Sequence, residues 1–242
     1  MNNTTQIDKT DGSWTTRLVC AGLILFIAGL AIGQAELSPF AAMLSIALGS
    51  LLTISAAAIV IINIIRSKGI SNVSAIGWLA ITLGALTLSN VGNMGGGGAP
   101  IHDISTDTQN PPAFRLVATL RGTSDNPIDY LDDGTAELQA QAYPDIKTII
   151  LSQPPEAVFS AALAAAKNMG WEIVASVPAE GHIEATATTP FVAFKDDVVI
   201  RVRAGQAGTL VDVRSKSRIG KGDMGVNAAR IRAYTAELTG IK

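Results

Sequence analysis

A single cysteine, two histidines and an aromatic content of 5% remove several chemistries at once. Cys20 falls inside an apolar run, so no disulfide forms within the chain and no thiol chemistry serves its C-terminal part. It is not a lipoprotein cysteine: Leu18-Val19 lacks the small residue expected before a lipidated Cys, and the apolar run follows it. Charged residues are also scarce, at 16% with a formal net charge of −2, and no nucleic-acid partner is expected.

The scarcity of charge is uneven. Leu18 to Ala35, Phe40 to Ile65 and Val73 to Val91 contain no Asp, Glu, Lys or Arg, and each approaches the ~20 residues that cross ~30 Å of hydrocarbon as a helix. Three transmembrane helices are therefore expected, the third carrying Thr82, Thr87, Ser89 and Asn90. The absence of charge within the spans argues against an ion or proton path. Small residues at Gly29 and Gly33, Ser45 and Gly49, and Ala80 and Gly84 would let the helices pack closely.

Basic residues near the span ends set orientation, because cytoplasmic loops keep an excess of Lys and Arg. Lys9 and Arg17 precede the first span, Arg66 and Lys68 follow the second, and the loop at 35–39 has only Glu36. These charges are satisfied by a cytoplasmic N-terminus and a C-terminal domain outside the plasma membrane. The first span is alternatively a signal peptide cut after Gly33-Gln34-Ala35, which still delivers the last domain outside.

Beyond the glycines at 95–98 the chain reads as water-soluble. The expected divisions are a cytoplasmic segment at 1–17, a membrane domain at 18–94, a Gly-rich hinge with an acidic, Pro-bearing strap at 95–146, and a soluble α+β domain at 147–242. In the strap, Asn110-Pro111-Pro112 favours extended backbone. Thr148 to Leu151 reads as a strand. Pro154-Pro155-Glu156 then opens a helix whose Phe159, Ala162, Leu163 and Ala166 share a face up to Gly170. Strands follow at Trp171 to Val177, His182 to Thr188, Val198 to Arg203 and Leu210 to Ser217, and Asp223 caps a helix to about Leu238. This order predicts a two-layer domain, an antiparallel sheet of about four to five strands with two helices on one face. Ile200, Val202, Val211 and Val213 point toward the helices, while Arg201, Arg203, Asp212 and Arg214 share the opposite phase, with Arg201 and Asp212 as a cross-strand pair.

Residues 194–202 (FKDDVVIRV), 211–220 (VDVRSKSRIG) and 223–231 (DMGVNAARI), with ISTD at 104–107 and PPAF at 111–114, resemble the bacterial domain of unknown function 1499 family over about residues 100 to 240. The Arg-Ser-x-Ser-Arg run is the most specific element. The resemblance implies a cell-envelope setting and no reaction.

The richest polar constellation is Arg214, Lys216, Arg218 and Lys221, leading through Gly220 and Gly222 to the helix at Asp223. With Arg201, Asn227 and Arg230 it reads either as an anion or partner site or as a structural network joining the last strand to the last helix. Asp223 would itself fill the helix N-terminus. Residues 195–242 hold 10 basic and 5 acidic residues, against 4 and 12 in 99–194. The acidic strap is therefore expected against the basic sheet face, anchored by Asn227, Arg230 and Tyr234, unless that face meets anionic lipid headgroups. His102, Asp103 and Asp107 are too few for a metal site and read as solvated strap. His182 reads as an exposed turn residue, and Ser215 and Ser217 have no histidine near them to make a nucleophile. Trp171, Phe191 and Phe194 either fill the core or line an apolar pocket between helix and sheet. No catalytic residue, cofactor or metal is expected. The leading reading is an inner-membrane protein whose outer domain binds an envelope protein or anionic lipid; the alternative is a lipid or small-ligand carrier with an apolar groove.

Overall fold

The computed structural model describes residues 10–67, 78–79, 81–82, 98–131 and 133–240. By contact the chain divides into two compact units, Met1–Met94 with Pro190–Ala193, and Gly95–Thr189 with Phe194–Lys242.

In the first unit, helix α1 spans Thr10–Gln34 and helix α2 spans Pro39–Ser67, joined by a short turn with Glu36 at φ 51°. Both are long and apolar enough to cross a membrane. Among the described residues these are two such helices rather than the three expected; the span at 73–91 lies outside them except at 78–79 and 81–82, which are helical. Small residues bring α1 and α2 together. A Cβ on Gly49 would lie 2.6 Å from the Gly22 carbonyl oxygen, and one on Gly29 would lie 2.9 Å from that of Ala42. Gly29 and Gly49 were legible as packing positions, whereas Gly22 was not.

The second unit is α+β, with a six-stranded antiparallel sheet. Its strands are β1 (Asp103–Ser105), β2 (Ile149–Leu151), β3 (Glu172–Val177), β4 (His182–Thr188), β5 (Lys195–Gly205) and β6 (Gly208–Ser217). The order is β1-β6-β5-β4-β3, and β2 pairs with β6 on the same side as β1. Among the described residues, three α-helices accompany the sheet: α3 (Thr135–Ala142), α4 (Pro155–Asn168) and α5 (Val226–Thr239). The strand count exceeds expectation because β1 lies in the segment read as an extended strap, and three residues of mixed polarity carry no alternation to reveal it. Gln139 of α3 completes β1: its amide nitrogen donates to the Ser105 carbonyl at 2.6 Å, and its side-chain oxygen accepts the Ser105 N–H at 2.9 Å.

Period-2 alternation sorts the two sheet faces. Ile183, Ala185, Val198, Ile200, Val202, Val211 and Val213 pack under α4 and α5, against Phe159, Ala162, Ala166, Ala228, Ile231 and Tyr234. Trp171 stacks on Tyr234 with ring centroids 5.2 Å apart, and the Tyr234 hydroxyl donates to the Ala162 carbonyl at 3.0 Å. Gly170, at φ 74°, ends α4. Arg201 stands opposite Asp212, as the alternation predicts.

Candidate functional site

The opposite face of the sheet carries His182, Glu184, Thr186, Asp197, Arg201, Arg203, Asp212, Arg214 and Lys216, and most of it is buried. Residues 106–131 lie over it and supply both charges and carbonyls. Four carboxylates organise the layer.

Asp103 accepts from Arg214 at 2.9 Å (Nε) and 2.8 Å (Nη2), and lies 2.9 Å from Lys216 Nζ. The Arg214 guanidinium sits between the rings of Phe114 (4.8 Å) and Tyr130 (5.2 Å) and donates to the Pro112 and Ile128 carbonyls. Lys216 donates to the Asp129 carbonyl at 2.7 Å. Burial draws its ammonium below the ordinary lysine value while Asp103 acts in the other direction. Burial, reinforced by Asp103, pushes the Tyr130 phenol up to about 12.

Asp197 accepts from Arg121 Nε (2.8 Å), Arg218 Nη2 (2.8 Å) and Thr186 Oγ1 (3.0 Å). Asp212 accepts from Arg201 Nη2 (2.8 Å), Arg203 Nη2 (3.2 Å) and Thr148 Oγ1 (2.6 Å), and Arg201 also reaches Asp107 at 3.0 Å. Glu184 accepts the backbone N–H groups of Arg115 (2.6 Å), Leu116 (3.2 Å) and Val117 (2.6 Å), with His182 Nε2 at 2.7 Å. Burial opposes ionisation of Glu184, but the His182 and N–H bonds outweigh it and hold the carboxyl below its ordinary value.

His182 is thus not an exposed turn residue. It begins β4 on the face the strap covers, and the strand's period places Glu184 beside it. This pair resembles an acid–base couple, yet both Glu184 oxygens are engaged by backbone donors, and among the described residues no hydroxyl or thiol bonds to either member.

On the helix side, Arg230 reaches Asp196 at 2.5 Å and Asn227 Oδ1 at 2.6 Å. Asn227 also bonds Ser215 Oγ (2.6 Å) and Ser217 Oγ (2.9 Å). The stripe expected to anchor the strap therefore joins β5 and β6 to α5, because Ser215 and Ser217 share the apolar phase; Asn227 touches the strap at the His102 carbonyl, 3.2 Å away. Asp223 accepts the N–H groups of Gly225 and Asn227, each at 2.8 Å, and so fills the start of α5. Lys221 is exposed in the preceding loop, where its carbonyl meets His102.

His102, Asp103 and Asp107 turn to different partners, and among the described residues no group of three or more His, Cys, Asp or Glu could hold a metal ion. The three aromatics also separate. Trp171 is in the core, Phe194 is half-buried, and Phe191 is 68% exposed. A groove of about 630 Å³ does lie between α4 and the sheet, lined by Phe159, Leu163, Pro178 and Val202, with Glu156, Glu180 and Arg203 at its polar edge. It opens at the β3–β4 turn, away from the aromatics expected to line it.

The buried layer and its covering strap both fall within residues 103–238, the stretch that a family model matches. The chain belongs to the family described as Protein of unknown function (DUF1499). No curated protein matches it. The matched boundaries place β1 and the strap inside the DUF1499 domain, in accord with the pairing of Asp103 to Lys216 and Ser105 to Arg214. Arg201, Arg214, Lys216 and Arg218 are legible in the sequence as site residues, but the carboxylates Asp103 and Asp197 that meet the last three are not, nor are Glu184 and Arg121. The signal for Asp197 and Glu184 was available: they share the strand phase of Arg201 and Thr186.

Proposed function

We propose that this chain is a plasma-membrane-anchored module of a bacterial envelope, with its DUF1499 domain on the outer side, acting by binding rather than by catalysis. The observation that carries the reading is the closed state of the charged layer: Arg201, Arg214, Lys216 and Arg218 each meet a carboxylate inside the fold. Cations so held keep the strap on the sheet, and an envelope protein or lipid is met by the outer surface. Two apolar helices support the anchor. The distribution of Lys9, Arg17, Arg66 and Lys68, together with a third crossing by the uncharged run at 73–91, supports the orientation. The test is crosslinking in membranes followed by identification of attached molecules, together with Ile150→Cys labelling in spheroplasts by an impermeant maleimide. Labelling from outside and a crosslinked protein or lipid are expected; labelling only after lysis overturns the orientation.

The groove beside α4 favours a second reading, a carrier of a small apolar ligand, since ~630 Å³ falls within the ~300–1,000 Å³ of ligand sites. Lipid co-purifying with the chain, and lost on Leu163→Trp, would select it.

A further inference from the structure

The two sides of the sheet are finished differently. On the β6 side, β2 pairs with Thr209 to Val211 and β1 with Arg214 to Lys216, and beyond β1 the Gln139 side chain takes the Ser105 N–H and carbonyl. On the far side β3 pairs with β4 alone. Among the described residues, nothing outside the ladder bonds to the backbone groups along its outer edge. An open edge is a template for a further strand, and folds commonly blunt it with lysine, proline or a short length. β3 runs for six residues without Lys or Arg, shifts register once at Val174, and meets a proline only after its last residue.

This edge runs into the groove beside α4, which sets Phe159 and Leu163 of the helix against Ser176 of β3 and Pro178 after it. Ile173 stands opposite Ala185 and Ser176 opposite Ile183, both in the core, so the helix-facing side of β3 opens into the groove. A strand laid along β3 would direct alternate side chains there. The rim then selects the charge of the partner. Glu180 is held by Arg115 and Arg203 by Asp212, whereas Glu156 and Glu172 are exposed and make no ion pair among the described residues. A second copy of this chain is a poor match. Antiparallel pairing of β3 with β3 about its centre brings Glu172 of one copy to the Val177 end of the other, where Glu156 lines the groove, and like charges meet.

We infer that the β3 edge and the groove receive an extended polypeptide segment of a partner protein, its backbone pairing with β3, alternate apolar side chains entering the groove, and flanking Lys or Arg meeting Glu156 and Glu172. Main-chain bonds give such an addition its affinity, and the space for alternate side chains gives its selectivity. The inference rests on the binding reading and narrows it to one surface and one partner chemistry.

The test uses the full chain in lipid nanodiscs and a fluorescent heptapeptide, Lys-Leu-Thr-Val-Thr-Leu-Lys, with binding read by anisotropy. N-methylation of one alternate set of its amides should abolish binding, and N-methylation of the other set should leave it intact. Glu156→Lys with Glu172→Lys should weaken binding about tenfold, the size of two exposed ion pairs, and should favour a Glu-flanked version of the peptide. Binding that is lost on Leu163→Trp yet indifferent to N-methylation would mean that the groove alone holds an apolar group, and no binding by either peptide would mean that the edge stays in water; either overturns the inference. A photo-crosslinker at Ser176, compared in membranes with crosslinkers at other outer positions of the domain, separates this from the binding reading. Attachment of a protein elsewhere but not at Ser176 overturns the inference alone, and attachment nowhere overturns both.

Discussion

Replacing Asp103 with alanine removes one carboxylate and strands two cations. Asp103 accepts both a guanidinium edge and an ammonium, and the side chains of Arg214 and Lys216 are 3% and 2% exposed, so water cannot replace what is lost. An exposed pair would contribute about 0–1 kcal/mol, whereas breaking a buried pair by removing one partner costs about 3–5 kcal/mol. The burial of all three groups selects the larger range. At a urea slope of about 2 kcal/mol per M, that loss lowers the unfolding midpoint by about 2 M. The transition is followed by Trp171 fluorescence in the detergent-solubilised chain with Trp14→Phe and Trp78→Phe, because Trp171 stacks on Tyr234 in the domain core. The combined variant Asp103→Leu, Arg214→Met and Lys216→Met should recover most of the stability, since apolar groups of similar volume often replace a buried ion cluster without loss. A midpoint shift below about 0.5 M for Asp103→Ala, the size of a solvent-screened pair, would refute the reasoning.

Acid should open the strap at Glu184. Its folded pKa is depressed, so its contribution is complete above the ordinary carboxyl value and is lost as pH falls through the folded one; the amides of Arg115, Leu116 and Val117 should then exchange faster, and Glu184→Gln should weaken the acid-side change. Tyr234→Phe removes the hydroxyl bond to the Ala162 carbonyl and should cost about 1 kcal/mol in urea denaturation, while Tyr234→Ala, which opens a cavity at a fully buried ring, should cost about 3–5 kcal/mol. Gly181→Ala would place a Cβ 1.9 Å from the Val202 carbonyl oxygen at φ 60°, so its thermal midpoint should fall by several degrees, more than for Ala179→Gly in the same turn.

The helix-facing half of the domain was readable because it obeys period. Phe159, Ala162 and Ala166 recur at helical spacing, Val198 to Val202 and Val211 to Val213 alternate, and the structure places them in one core. The charged half was readable only in part. Alternation put Arg201 opposite Asp212, and the split between basic and acidic halves placed the strap over the sheet, as the Asp103 and Asp107 pairs show. What alternation cannot give is pairing across long separations. Asp103 and Arg214 meet over 111 residues, and Arg121 and Asp197 over 76. For the same reason β1 was invisible, its hydrogen bonds coming from β6 and from the Gln139 side chain. His182 was misread because a histidine after glycine resembles a turn until the covering strap is known.

The strap is part of the fold, its carboxylates and carbonyls holding the basic face of the sheet closed. Hydrogen exchange on the full chain in lipid nanodiscs tests this directly, comparing the amides of Ser105, Thr106 and Val117 with those of Val199 to Val213. The bonds from these amides to Gln139, the Val213 carbonyl and Glu184 should give protection rising to that of β5 and β6, unaffected by added inorganic phosphate. Exchange of the strap amides at the rate of open chain while β5 and β6 stay protected would contradict the account and leave the basic face free to bind.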